Sequence, residues 1–221
     1  MKTLAIVPIK CNSKRLSEKN LKSLQSKPLF MYAVDAIRQC NSPDKIVVCS
    51  EDSRVEEILL KKSFDNRIEF LLRPNYLSRE PNQIADVCLW VIAQLQERGE
   101  EYHNLIMIQP SNPFITYIDI TNCISLYLQY ERKFQVRSVS KIEKNIWSKG
   151  YYSSTINLLL KSDYYIGNGS IVIESIDRLL KKRGLVTDEV IPYVMAQEKS
   201  IDIDTQLDFD IAEMLISKQE N

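Results

Sequence analysis

The sequence predicts an α/β fold in which a mostly parallel sheet is covered by helices on both faces. Three observations predict it. Short aliphatic and β-branched runs alternate with longer segments whose apolar residues recur at helical spacing. The unit of strand, loop and helix repeats from Thr3 to Tyr130. The 221 residues, 44% of them hydrophobic, suit one α/β core, which organises up to about 250 residues.

Taken in order, Thr3 to Pro8 is a buried strand that ends at proline and a polar, basic loop from Lys10 to Lys27. Leu29, Phe30, Ala33, Val34 and Ile37 form a helical stripe, with Pro28 acceptable in the first turn. Lys45 to Ser50 is the second strand and Glu51 to Phe64 the second helix. Arg67 to Leu72 and Ala85 to Glu97 are the third pair, and Asn104 to Gln109 and Ile118 to Tyr130 the fourth. From Gln135 to Tyr165 the rhythm breaks into Ser, Lys, Tyr and Asn, and the expectation is an extension rather than another unit. Gly169 to Ile173 is a later strand, Asp177 to Arg183 a short helix, and Phe209 to Lys218 the closing helix. There is no internal repeat and no linker, so residues 1–221 are read as a single domain with an extension around 135–165.

Lys plus Arg equals Asp plus Glu at 29 each, which excludes the broad basic field of a non-specific nucleic-acid binder. Any anion site is local. Five scattered cysteines without CxxC spacing read as buried, reduced thiols. No run approaches the ~18 apolar residues of a membrane span, so no membrane partner is expected and a cytoplasmic protein fits.

In such sheets ligands sit beyond the carboxyl ends of the strands. Three post-strand segments carry candidate chemistry. The loop after the first strand contains Lys10, Asn12, Ser13, Lys14, Arg15, Lys19 and Asn20, four cations among small hydrogen-bonding residues, which can fold around a polyphosphate. A solvated basic loop has the same composition. It is neither a P-loop nor a dinucleotide fingerprint, because residues 8–27 contain no glycine. Gln109-Pro-Ser-Asn-Pro113 follows the fourth strand and offers Gln109 and Ser111 as hydrogen-bonding groups. In Ser200-Ile-Asp-Ile-Asp-Thr205, carboxylates two apart in an extended segment point the same way. Asp202 and Asp204 can therefore meet one hard cation such as Mg2+, although one aspartate here could instead cap the helix near Asp208. His103 reads as a surface residue and Trp90 as core.

Together the segments resemble the acylneuraminate cytidylyltransferase family, which includes the CMP-sialic, CMP-legionaminic and CMP-pseudaminic acid synthetases. The resemblance is carried by Pro8-Ile-Lys-Cys-Asn-Ser-Lys-Arg15 with Lys19-Asn20 and Lys27-Pro-Leu29, by Arg73-Pro-Asn-Tyr-Leu77, and by Ile108-Gln-Pro-Ser-Asn-Pro113. Asn168-Gly-Ser-Ile-Val-Ile173 and Ser200 to Thr205 complete it. It implies a three-layer α/β/α nucleotidyltransferase fold, Rossmann-like, that dimerises through a small extension. It also implies transfer of CMP from CTP to an acidic 2-keto sugar, a nonulosonic acid, with pyrophosphate released. Carried over by position, Lys10, Asn12, Ser13, Lys14, Lys19 and Asn20 hold the nucleotide, with Lys19, Asp202 and Asp204 catalytic. Asp202 and Asp204 bind the Mg2+ cofactor, and Gln109, Lys161 and Asn168 meet the sugar.

This chain departs from the family at several points. Lys10 stands where Arg is usual, losing the bidentate fork. Cys11 and Asn12 replace small residues, Phe114-Ile115 replaces Leu-Arg, and Val172 replaces Tyr. Before Asn168, where sialic acid synthetases carry arginines for the sugar carboxylate, Lys161 is the only cation. A different sugar or nucleotide, or a member that binds nucleotide without turnover, therefore stays open.

Overall fold

The computed structural model describes residues 1–62, 65–142 and 164–219. In chain order the elements are β1 (Thr3–Ile9), β2 (Ser23–Leu24), β3 (Lys27–Pro28), α1 (Phe30–Arg38), β4 (Lys45–Ser50), α2 (Arg54–Lys62) and β5 (Ile68–Leu72). They continue with α3 (Ile84–Gln96), β6 (Asn104–Ile108), α4 (Tyr117–Gln129), β7 (Gln135–Lys141) and β8 (Tyr165–Ser175). The chain closes with α5 (Ile176–Lys182), β9 (Val190–Met195) and α6 (Gln206–Gln219).

Seven strands form one sheet in the order β5-β4-β1-β6-β8-β7-β9. Only β8 opposes the rest: it pairs antiparallel with β6 and β7, while β1, β4, β5 and β6 pair in parallel, as do β7 and β9. The central strand is buried on both faces because its residues alternate between two cores. Leu4 and Ile6 pack under α3 and α5, whereas Ala5, Val7 and Ile9 pack under α1, α2 and α4. Helix, sheet and helix make three layers, as expected. Among the described residues no helix is long and apolar enough to cross a membrane. All five cysteines are free and buried, and burial pushes the Cys11 thiol up to about 11.

A third, smaller core positions the site. Leu16, Leu24 and Leu29 from the loop after β1 pack with Phe114, Ile203 and the α6 residues Phe209, Ala212 and Ile216. Ile203 is fully buried between Asp202 and Asp204, and a side chain of that size contributes about 1.5–3 kcal/mol on burial. The three post-strand segments are thus drawn to the same edge of the sheet by apolar contacts, independently of any ligand.

Two strands differ from expectation. Gln135–Lys141 is not part of an extension; it is β7, enclosed between β8 and β9. Its polar look misleads because the polar side chains are buried and satisfied. The Gln135 amide donates to Glu174 and to the Leu185 carbonyl, and Ser138 donates to Asn168 while accepting from the Ile171 N–H. The rest of the expected extension, residues 143–163, lies outside the described residues. The second strand, β9, escapes a hydrophobic reading because it is an edge strand that tolerates Pro192. The closing helix also starts earlier than expected, at Gln206, since the Asp208 carboxylate accepts from the Thr205 N–H at 2.8 Å and hydroxyl at 2.7 Å. Asp208 is therefore the capping residue, which leaves Asp202 and Asp204 for other work.

Candidate active site

At the carboxyl ends of β1, β4, β5 and β6 lies a cleft of about 460 Å³. Among the described residues, Lys10, Lys14, Arg15, Lys19 and Arg73 line it, against two carboxylates, Glu80 and Asp204. Arg73 is answered by the buried Glu51, and the remaining excess of cations, local on a chain of zero net charge, suits an anion.

The loop after β1 is held from behind. Asn20, 2% exposed, donates to the Lys10 carbonyl at 2.8 Å. Its own amide oxygen is buried and unpartnered. The N–H groups of Cys11 and Asn12 donate to Glu51 at 2.8 and 3.1 Å, and Glu51 in turn takes the Arg73 guanidinium at 2.7 Å and the Ser78 hydroxyl at 2.9 Å. Both members of this ion pair are nearly inaccessible, at 2% and 3%. Burial alone raises the Glu51 carboxyl, but its own backbone N–H, Arg73 and the Asn12 and Cys11 N–H groups outweigh it and hold it below the usual carboxylate range. The first backbone donors of the loop thus face Glu51 rather than the cleft.

The closing segment meets this loop directly. Lys19, with a side chain 12% exposed, donates to the Ile203 carbonyl at 2.5 Å and to Asp204 at 2.8 Å. Arg15 reaches the other Asp204 oxygen at 2.7 Å. Asp202 turns toward the strand ends, where Gln109 and Ser111 donate to its two oxygens at 2.8 and 2.5 Å. Gln109 is further bonded to Ser111 at 3.0 Å. Asp202 is therefore held by neutral donors, whereas Asp204 is paired with two cations.

The expected residues separate into groups. Lys10, Ser13, Lys14, Lys19, Asn20, Gln109 and Asp204 line the cleft, and Asp202 touches two of its walls, Gln109 and Ser111. Asn12 points instead into a neighbouring hollow with Asn75 and Arg79. Asn168 lines neither space. Its amide joins Ser138 on β7, Ser200 and Met195, so it braces the wall from which Asp202 projects. Lys161 lies outside the described residues. Sequence reasoning missed Glu51, although it follows β4 directly and obeys the same strand-end rule, and it placed Arg73 only within a motif.

Gly169 explains how Gln109 is aimed. Its φ is +70°, and a Cβ there would lie 2.6 Å from the Gln109 amide oxygen. Gly169→Ala is expected to push the carboxamide off Asp202 and Ser111 and to cost about 1–2 kcal/mol in backbone strain. The melting temperature should drop by roughly 2–8 °C. An unchanged melting temperature would show that the Gln109 amide does not need this seat.

The profile of the family described as Cytidylyltransferase matches residues 4–219. The chain belongs to this family. The N-acylneuraminate cytidylyltransferase of Escherichia coli O18:K1:H7 is 26% identical over 96% of this chain and 51% of its own length. The CMP-N,N'-diacetyllegionaminic acid synthase of Legionella pneumophila is 24% identical over 98% of this chain and 97% of its own. The chain therefore spans about half of the first relative and nearly all of the second. A CMP:2-keto-3-deoxy-manno-octonic acid synthetase solved with CTP superposes with a TM-score of 0.72 at 14% identity, over 99% of this chain and all of that one. At that identity the likeness concerns the fold, and it agrees with the three layers found in this family member.

Proposed function

We propose that this member of the family transfers CMP from CTP to an acidic 2-keto sugar of the nonulosonic type, releasing pyrophosphate. The observation that carries the reading is the meeting of Lys19 with Asp204 across the cleft, beside Asp202, Gln109 and Ser111. One wall brings cations suited to a triphosphate, and the facing wall brings carboxylates and a hydrogen-bonding amide. The names of the E. coli and Legionella relatives support CTP and a sugar acid as the substrate classes.

A sugar hydroxyl attacks the α-phosphorus and pyrophosphate leaves, a reaction that asks the protein mainly for positioning and charge neutralisation. Lys10, Lys14, Arg15 and Lys19 neutralise the phosphates, and the triphosphate competes with Asp204 and Glu80 for Arg15, Lys19 and Lys14. Gln109 orients the acceptor from the floor of the cleft. The Asp202 and Asp204 carboxylates are the acceptors at hand for the hydroxyl proton. The same two carboxylates are oxygen donors of the kind a hard cation takes, and they flank the buried Ile203 two residues apart. Mg2+ held there would supply charge stabilisation on the phosphate oxygens. Asp202→Asn keeps the shape and one acceptor, and it is expected to raise the Mg2+ concentration needed for half-maximal rate at least tenfold. An unaltered magnesium titration would remove Asp202 from that role. A homodimer, expected from the resemblance, belongs to the same proposal and is read from the molar mass in solution.

The deciding experiment crosses CTP, UTP, GTP and ATP with acidic 2-keto sugars and neutral sugars and measures pyrophosphate. Release is expected with CTP and an acid alone. Equal release with a neutral sugar or another nucleotide would overturn the substrate assignment, and CTP binding without release from any pair would overturn turnover itself.

A further inference from the structure

A second cavity of about 310 Å³ adjoins the nucleotide cleft and shares Gln83, Ile84 and Gln109 with it. Its far walls are mainly apolar, from Met107, Val172 and Leu185, and among the described residues Arg137 is the only charged one that lines it. A cavity of this size accepts a small ligand, with a few placed polar groups fixing its orientation.

Arg137 is unusual in what it lacks. Its guanidinium donates to the Leu185 carbonyl at 2.6 Å and to the Gln135 amide oxygen at 3.2 Å, both neutral. Among the described residues no carboxylate forms an ion pair with it, and the buried Glu174 pairs instead with Arg178 at 3.3 Å. Burial lowers the Arg137 pKa from its ordinary value, offset in part by the field of Glu174. A half-buried cation without a counter-ion, held in a fixed direction by two neutral acceptors, is prepared for an anion. The register explains the space before it. Arg137 lies directly across from Val172, and side chains of such a pair share one face of the sheet. Val172 is a small neighbour that leaves room beside the guanidinium.

We propose that Arg137 recognises the carboxylate of the acidic sugar acceptor, which sits in the second cavity with its reacting hydroxyl toward Gln109. This rests on reading the adjoining cleft as the CTP site. It answers the absence of sugar-binding arginines before Asn168 by placing the cation on β7 instead. The apolar walls would meet the apolar edges of the sugar.

The test compares a turned-over sugar acid with its carboxamide in wild type, Arg137→Gln, Arg137→Lys and Val186→Glu. In R137Q the KM for the acid is expected to rise roughly ten- to a hundredfold, as for loss of a hydrogen bond to a charged group. Its KM for CTP should stay within twofold and its preference for acid over amide should vanish, with R137K intermediate. Val186 lines the same cavity and is 78% exposed, so V186E tests the site without disturbing packing. It is expected to weaken the acid and spare the amide. An acid KM that is unchanged in R137Q, or that rises equally for acid and amide, would overturn the proposal, as would an indifferent V186E if R137Q does not fold. Wild type that releases no pyrophosphate with any sugar acid would defeat the reading of the cleft and take this inference with it. Wild-type turnover with indifferent variants would defeat this inference alone.

Discussion

Lys19→Ala is expected to slow CTP-dependent pyrophosphate release by about a thousandfold. Removing one preorganised electrostatic donor from a water-poor site costs about 2.7–4 kcal/mol of transition-state stabilisation, and the proposed reaction makes Lys19 such a donor. Its ammonium is largely shielded and fixed at 2.5 Å from the Ile203 carbonyl and 2.8 Å from Asp204. Lys10 and Lys14 lie on the exposed rim, where solvent screens them and flexibility dilutes each contact. Their alanine variants should lose about tenfold or less. The ordering matters more than the absolute values, since it follows from burial. Steady-state kcat on the three variants, with CTP-induced thermal shifts to verify folding, provides the measurement. K19A within tenfold of wild type would show that phosphate charge is met elsewhere.

Arg73→Met should be the most destabilising single change near the cleft. Breaking a buried ion pair by removing one partner costs about 3–5 kcal/mol, because the other charge is left desolvated. In a chain of this size each kcal/mol shifts the melting temperature by about 2–4 °C. A loss of roughly 6–20 °C at pH 8 is expected.

The pH dependence has a definite sign. In wild type the Glu51 carboxyl is depressed, so its contribution to stability is present above the unfolded-state pKa of about 4.3 and is lost as pH falls through the lower folded value. Without Arg73, burial remains as the largest influence and the folded pKa moves upward. The penalty in R73M is then full at high pH and shrinks as Glu51 takes up a proton. The gap in melting temperature between the two proteins should narrow from pH 8 to pH 5. A gap that is constant with pH would mean that Glu51 is not the charge left stranded.

Much of this was legible from residue order. The aliphatic runs that became β1, β4 and β6 and the helices between them needed no tertiary information, because burial on both faces of a parallel sheet demands continuous apolar residues. The cationic loop, Gln109 and the paired aspartates were found because ligands gather beyond strand ends. Gln135–Lys141 was missed for the converse reason: its glutamine and serines are buried, but their partners lie on β8 and after α5, far along the chain. Arg137 was hidden within that same strand.

Chain order and side-chain chemistry were enough to establish the layered α/β class, the balance of charge and the residue types that line the cleft, since each depends on local pattern or on totals. Only the folded arrangement decided that Asp208 caps a helix while Asp202 and Asp204 turn to the cleft, that Asn168 braces a wall, and that Glu51 occupies the loop's first N–H groups. Those outcomes depend on which distant group satisfies each polar atom. Apart from the local Asp208 cap, the deciding bonds join residues 30 to 185 apart, and a bond of that span leaves no periodic trace in the residues at either end.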